Sequence, residues 1–219
     1  MGRVVYLVPY VHLPLSAFVE KYAEQYVEVF ERMQYPKYIG KIASAIKELR
    51  PQRVYTEGVK IGHTNLERGR ASDQVEKLAK YSLEVILLEN GLSLYGMEDV
   101  KIHRAHIKVL YRGHNTFKRL DEYRSESGLI TKLLKLPFQR AIYEYLKFLS
   151  HYLTLLRDRK WARYVKTTLG ENEKGVMIYG AEHHPEKHFS DEIEYRLLYE
   201  GLYKDAQNIS NLFANELIF

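Results

Sequence analysis

Four short runs of β-branched and aromatic residues punctuate the chain: Arg3-Val-Val-Tyr-Leu-Val-Pro9, Arg53-Val-Tyr-Thr56, Leu92-Ser-Leu-Tyr-Gly96 and Gly175-Val-Met-Ile-Tyr-Gly180. Each ends at or near Gly or Pro, which predicts four buried strands. Between them apolar residues recur at spacings of three and four, as one helix face requires. From a Ser16 cap, Phe18, Tyr22, Tyr26, Val29 and Met33 form such a face, and Pro36 stops it. Tyr38 to Leu49 repeats the pattern with Ile39, Ile42, Ala43 and Ile46, ending before Pro51. Residues 72–88, capped by Ser72 or Asp73, repeat it with Val75, Leu78, Leu83 and Leu87. Strands alternating with helices predict an α/β fold, a central and mainly parallel sheet with flanking helices.

Residues 100–169 hold no convincing strand. Gly113, Gly128 and Pro137 divide them into three helical pieces, the last running from Phe138 to about Leu169. This block lies between the third and fourth strands and reads as a helical insertion or cap within a single α/β domain spanning 1–219. No repeat of solenoid length and no low-complexity linker interrupts it.

The length of 219 residues suffices for one substantial core. The absence of cysteine excludes a disulfide scaffold, a zinc ribbon, a thiol protease and thiol redox chemistry, so any metal must be held by His, Asp or Glu. No apolar stretch reaches the length of a membrane span, and the first ten residues lack the cleavage site of a signal peptide. The expectation is a soluble, cytoplasmic protein with no membrane partner. A surplus of +5 favours anionic partners only weakly. The 19 tyrosines, the many charges and the missing cysteines fit a heat-adapted protein.

Groups with chemical potential collect where the predicted strands end. His12 follows the first, Glu57 the second, Glu98 and Asp99 the third, His183 and His184 the fourth. In an open α/β sheet the crevice outside the carboxyl ends of the strands is where ligands bind. Side chains far apart in sequence would converge there. Two imidazoles with two or three carboxylates can hold a divalent metal or activate water directly. The sharpest local element is Gly180-Ala-Glu-His183, followed by Pro185, which restricts His184 and shapes the loop.

Arg157, in Leu156-Arg-Asp-Arg-Lys-Trp-Ala162, suits an oxyanion or carboxylate, although spacing alone favours a solvated helix face. Lys101 to Arg119 is a basic segment in which His103 and His106 share a helix face; it reads chiefly as a solvated helix that steers anions. The tyrosines do not define a base-stacking platform, and nucleic acid is not favoured as a partner. Phe213–Phe219 suits either a packed strand or a contact between copies of the chain, so a homo-oligomer stays open.

The order of His after the first strand, Glu-Gly after the second, Arg-Asp-x-x-Trp-Ala late in a helix and Gly-x-x-His after a later strand resembles one superfamily. It groups erythromycin esterases, TraB-like pheromone-shutdown proteins, TIKI-type metal-dependent proteases and ChaN-like haem-binding proteins. The resemblance runs roughly from His12 to Gly201. It implies that His12 and His183 are paired active-site histidines, that Glu57 is the acidic residue after the second strand, and that Arg157 is the arginine of the Arg-Asp element. Glu98 matches a more variable acidic position. Pro9-Tyr-Val-His12 carries proline where the first motif of the superfamily has glycine, which removes one backbone N–H.

The function expected is hydrolysis of an amide or ester bond in a small-molecule or peptide substrate. His12, Glu57 and His183 bind a divalent ion (Mn, Co or Zn) or position water. Glu57 or Glu98 removes a proton, and Arg157 steadies the oxyanion. Asp99, Asp158 and His184 are candidate substrate contacts. The alternative is a binding or regulatory module that captures haem or an anionic metabolite without turnover.

Overall fold

Apolar runs without alternation belong to strands covered on both faces, and the four expected runs are strands: β1 (Arg3–Tyr10), β2 (Arg53–Lys60), β3 (Leu94–Glu98) and β4 (Lys174–Gly180). A fifth, β5 (Ile193–Leu197), joins them. All neighbours are parallel, in the order β3-β2-β4-β1-β5. The protein is thus of the α/β class expected. The computed structural model describes residues 2–10, 35–61, 82–125, 135–180 and 182–216. They divide into two compact units, one comprising Met1–Glu98 with Trp161–Phe219, the other Asp99–Lys160.

In the first unit, alternation along each strand sorts the core into two layers. Val8, Tyr10, Val54, Leu94, Val176 and Ile178 face helices α1 (Tyr35–Leu49), α2 (Leu83–Glu89) and the later α5 (Leu202–Glu216). Val5, Leu7, Tyr55, Met97, Met177 and Tyr179 face Trp161, Val165 and Leu169. The path explains the sorting. From β1 to β2 to β3 the chain moves across the sheet in one direction with α1 and α2 on one face. The return to β4 reverses direction, so a crossover of constant hand places its helix on the other face.

Pro36 lies in the first turn of α1, where its missing N–H has no helical acceptor to lose. α2 closes with Gly91 at φ 78, and Gly91 and Leu92 donate their N–H groups to the Leu88 and Leu87 carbonyls. That closure places β3 at Leu94–Glu98, two residues later than its sequence suggests. β2 is longer than expected because its pairing with β3 slips between Thr56 and Lys60. The helix expected from Ser16 and residues 72–81 of the next one lie outside the described residues.

The second unit contains α3 (Val100–Ser125) and the first part of α4 (Leu136–Thr168). Gly113 does not divide α3, and α4 runs unbroken past His151. Pro137 sits at the second residue of α4, where it costs no helical bond. Phe117 and Tyr143 bring the helices together at 5.7 Å between ring centroids. Residues 99–160 hold 14 Lys and Arg against 6 Asp and Glu, so the whole positive surplus of the chain resides here. Among the described residues no helix is long and apolar enough to cross a membrane.

Candidate functional site

The two central strands bring one expected pair together. β2 and β4 are neighbours, with Thr56 opposite Ile178, and both run their carboxyl ends to the same edge. Past that point Glu57 lies where the β2 register slips, and a bulge of this kind re-aims a side chain. On β4 the chain turns sharply: the His183 N–H donates to the Gly180 carbonyl at 2.9 Å. The imidazole returns over the sheet edge, and His183 Nε2 stands 3.7 Å from Glu57 Oε2. That is wider than a hydrogen bond.

His183 is 1% exposed and Glu57 14%, so both are largely buried and Glu57 is the more exposed of the two. Trp161 walls the imidazole, ring to ring at 4.6 Å. The indole is itself fully buried among Val165, Leu169 and the strand residues beneath. It is the single tryptophan of the chain. As donors, an imidazole nitrogen and a carboxylate oxygen suit Mn, Co or Zn. Their separation is near the roughly 3–3.5 Å edge between two ligands on arms of about 2.1 Å. Among the described residues no three His, Asp or Glu side chains gather as a metal site. The third expected ligand, His12, lies outside the described residues.

The opposite face of the same sheet edge carries a network that sequence patterning misses. Glu84, in the first turn of α2, is 7% exposed. Its carboxylate accepts hydrogen bonds from the hydroxyls of Ser82 at 2.7 Å, Tyr10 at 2.9 Å and Thr56 at 3.2 Å. One carboxylate therefore ties the ends of β1 and β2 to the start of α2, one residue before Glu57. Burial, followed by the charge of Glu84, pushes the Tyr10 phenol well above its ordinary range; the same two causes raise Tyr35. Nothing in the sequence signals the network, because 74 residues separate Tyr10 from Glu84.

The other expected residues are divided between the two units. Glu98 ends β3 at 3% exposure, and alternation with Met97 turns it toward the face of α1 and α2. Asp99 caps α3: its Oδ1 accepts the N–H groups of Lys101 and Ile102, and its Oδ2 pairs with Lys160 at 2.5 Å. Lys160 foremost, then the two amides, holds that carboxyl below its ordinary value. In the helical unit Arg157 is 7% exposed and Asp158 1%. Arg157 Nη1 donates to His106 Nδ1 at 3.2 Å, so the ring proton of His106 sits on Nε2, facing Ser150 Oγ at 2.9 Å. His184 is half-exposed and bonds Glu186 through Nδ1 at 3.0 Å, at the head of a short 3₁₀ turn, Pro185–His188.

Compared with known proteins, the chain matches no family model, no curated protein and no solved structure.

Proposed function

We propose that the protein is a hydrolase of amide or ester bonds, acting on a peptide or small-molecule substrate in the manner of the esterase and TIKI-like superfamily that its motifs resemble. The observation that carries this reading is the approach of Glu57 to His183 at the carboxyl ends of the two central strands, 3.7 Å apart and walled by Trp161. That edge is where α/β sheets bind ligands.

Glu57, the more exposed of the two, takes a proton from a water molecule as its oxygen attacks the carbonyl carbon. The proton then passes to the leaving nitrogen or oxygen as the bond to it breaks. The plane of the His183 imidazole is set by Trp161 and by the turn from Gly180. Glu57, His183 and His12 would hold a divalent ion (Mn, Co or Zn). Such an ion supplies Lewis-acid polarisation of the carbonyl and a more acidic water.

Two measurements test the reading. Because Trp161 is the sole tryptophan and abuts His183, Co²⁺ or Mn²⁺ bound there quenches its emission saturably. The quench is expected to vanish in Glu57→Ala and His183→Ala. On a substrate found by screening amides and esters, Glu57→Gln is expected to lose about 10²-fold or more in kcat. Retention of parental activity by both Glu57→Gln and His183→Gln, with both variants folded, overturns the proposal.

A further inference from the structure

β5 is the outermost strand of the sheet, paired with β1 on one side and with nothing on the other among the described residues. The Leu198 N–H donates to the Leu7 carbonyl at 3.1 Å, which fixes the alternation: even-numbered residues of β5 turn their backbone groups toward β1. The backbone groups of Tyr195 and Leu197 therefore point outward. Glu194 to Leu197 are all exposed, with Tyr195 at 50% and Leu197 at 36%. An exposed edge of this kind is a template for another strand.

What fits that edge is written in its own sequence. Ile193-Glu-Tyr-Arg-Leu197 reads apolar, acidic, aromatic, basic, apolar, a pattern whose charges are complementary when it is reversed against itself. We infer that β5 pairs antiparallel with β5 of a second copy of this chain, about a two-fold axis at Tyr195. In that register the two Tyr195 residues, whose N–H and C=O already point outward, exchange both hydrogen bonds. Glu194 then faces the second copy's Arg196, and Arg196 its Glu194, at the non-hydrogen-bonded positions where side chains approach most closely. Ile193 meets Leu197. Two five-stranded sheets become one.

Within one chain Arg196 Nε already bonds Glu194 Oε1 at 2.6 Å, so the charges lie on one face of the strand, aligned for the exchange. The other face carries Tyr195 and Leu197, with the Phe189 ring 6.2 Å from that of Tyr195. Edges kept from pairing are blunted by charged side chains, lysine above all. This one carries one of each sign, placed symmetrically about a tyrosine. The contact is isologous, closes on itself and leaves no further edge at β5.

Charge reversal tests both the surface and the register, with mass read by sedimentation equilibrium and folding by circular dichroism. The parent is expected to be a dimer. Glu194→Arg places arginine opposite arginine, Arg196→Glu places glutamate opposite glutamate, and each is expected to dimerise at least roughly tenfold more weakly. The double variant Glu194→Arg/Arg196→Glu is expected to recover the parental constant. An equal mixture of the two single variants is expected to form the mixed dimer. A monomeric parent overturns the inference, as does a dimer indifferent to the single reversals or one that the double reversal fails to restore.

Discussion

The indole of Trp161 and the imidazole of His183 lie ring against ring, 4.6 Å between centroids and tilted by 45°. Trp161 comes from the last turns of α4 and His183 from the turn after β4, so one helix and one strand jointly set the plane of the imidazole. Removing the indole to Ala is expected to cost about 3–5 kcal/mol, as for other large buried aromatics. Trp161→Phe keeps most of the packing but withdraws the wall. Its expected signature is a lowered kcat at unchanged KM, with the urea midpoint falling far less than in Trp161→Ala. Equal loss of stability in the two variants would contradict the positioning role.

Glu84 offers a second handle on the same sheet edge. Glu84→Gln replaces an acceptor of three hydroxyls by an amide with one acceptor oxygen and two donors. At a buried site this costs about 1–3 kcal/mol. Tyr10→Phe removes a single donor and should cost less, near 1 kcal/mol. Chemical denaturation of the two variants checks the order.

The buried phenols set the alkaline limit. Tyr10 and Tyr35 are raised by burial, then by Glu84, and Tyr55 is raised by burial to about 12. Phenols of the unfolded chain ionise near the ordinary value of 10.0, before the folded ones. The stability these groups contribute is therefore full below that value and is lost as pH rises through the folded pKa values. Thermal midpoints should hold up to there and fall beyond it, less steeply in Tyr10→Phe. A flat midpoint through that window would refute the assignment.

At the acid end the informative group is Glu173, which accepts the Gly170 N–H at 2.7 Å and Arg53 Nε at 2.9 Å. The amide first, then the guanidinium, lowers its carboxyl pKa. Its contribution is present above the ordinary carboxyl range and is lost as pH falls through the lowered value. Glu173→Gln should therefore be less stable than the parent by roughly 0.5–1 kcal/mol at neutral pH. That gap should close in acid, which paired melts across the range would reveal.

Two glycines should respond oppositely to alanine. A Cβ on Gly113 meets nothing within 4 Å, so Gly113→Ala gains helix propensity in α3, about 0.5–1 kcal/mol. A Cβ on Gly170 would stand 2.9 Å from the Glu173 carboxyl carbon. Gly170→Ala must push that carboxylate out of its two hydrogen bonds and should destabilise. Melting both variants beside the parent decides it.

Gly113 also shows where local reading fails. Punctuation by glycine marks a break only when the flanking residues lack a helical face, and here His106, Val109, Thr116 and Leu120 continue one face across it. β1 and β4 are legible because both their faces are covered, leaving uninterrupted apolar runs. β5 is not, since an exposed edge strand alternates and passes for a loop. Glu57 and His183 are legible as groups near strand ends. That Glu57 lies within β2 is not, because the slip after Thr56 depends on β3. The Glu84 network is the least legible, since hydroxyls of three separate segments converge on a residue that reads as an ordinary polar position in a helix.

The place of β4 between β2 and β1 has a consequence for the order in which the molecule forms. When β1, β2 and β3 have left the ribosome, β1 has no strand beside it, because its two neighbours are β4 and β5. The helical stretch from Asp99 to Lys160 must be made before the missing middle arrives, and only then do Glu57 and His183 acquire each other. A nascent chain halted within that stretch exposes three strand edges that the finished sheet pairs, two on β1 and one on β2. Insertion of β4 between β2 and β1 therefore closes that gap and brings Glu57 and His183 together in the same step.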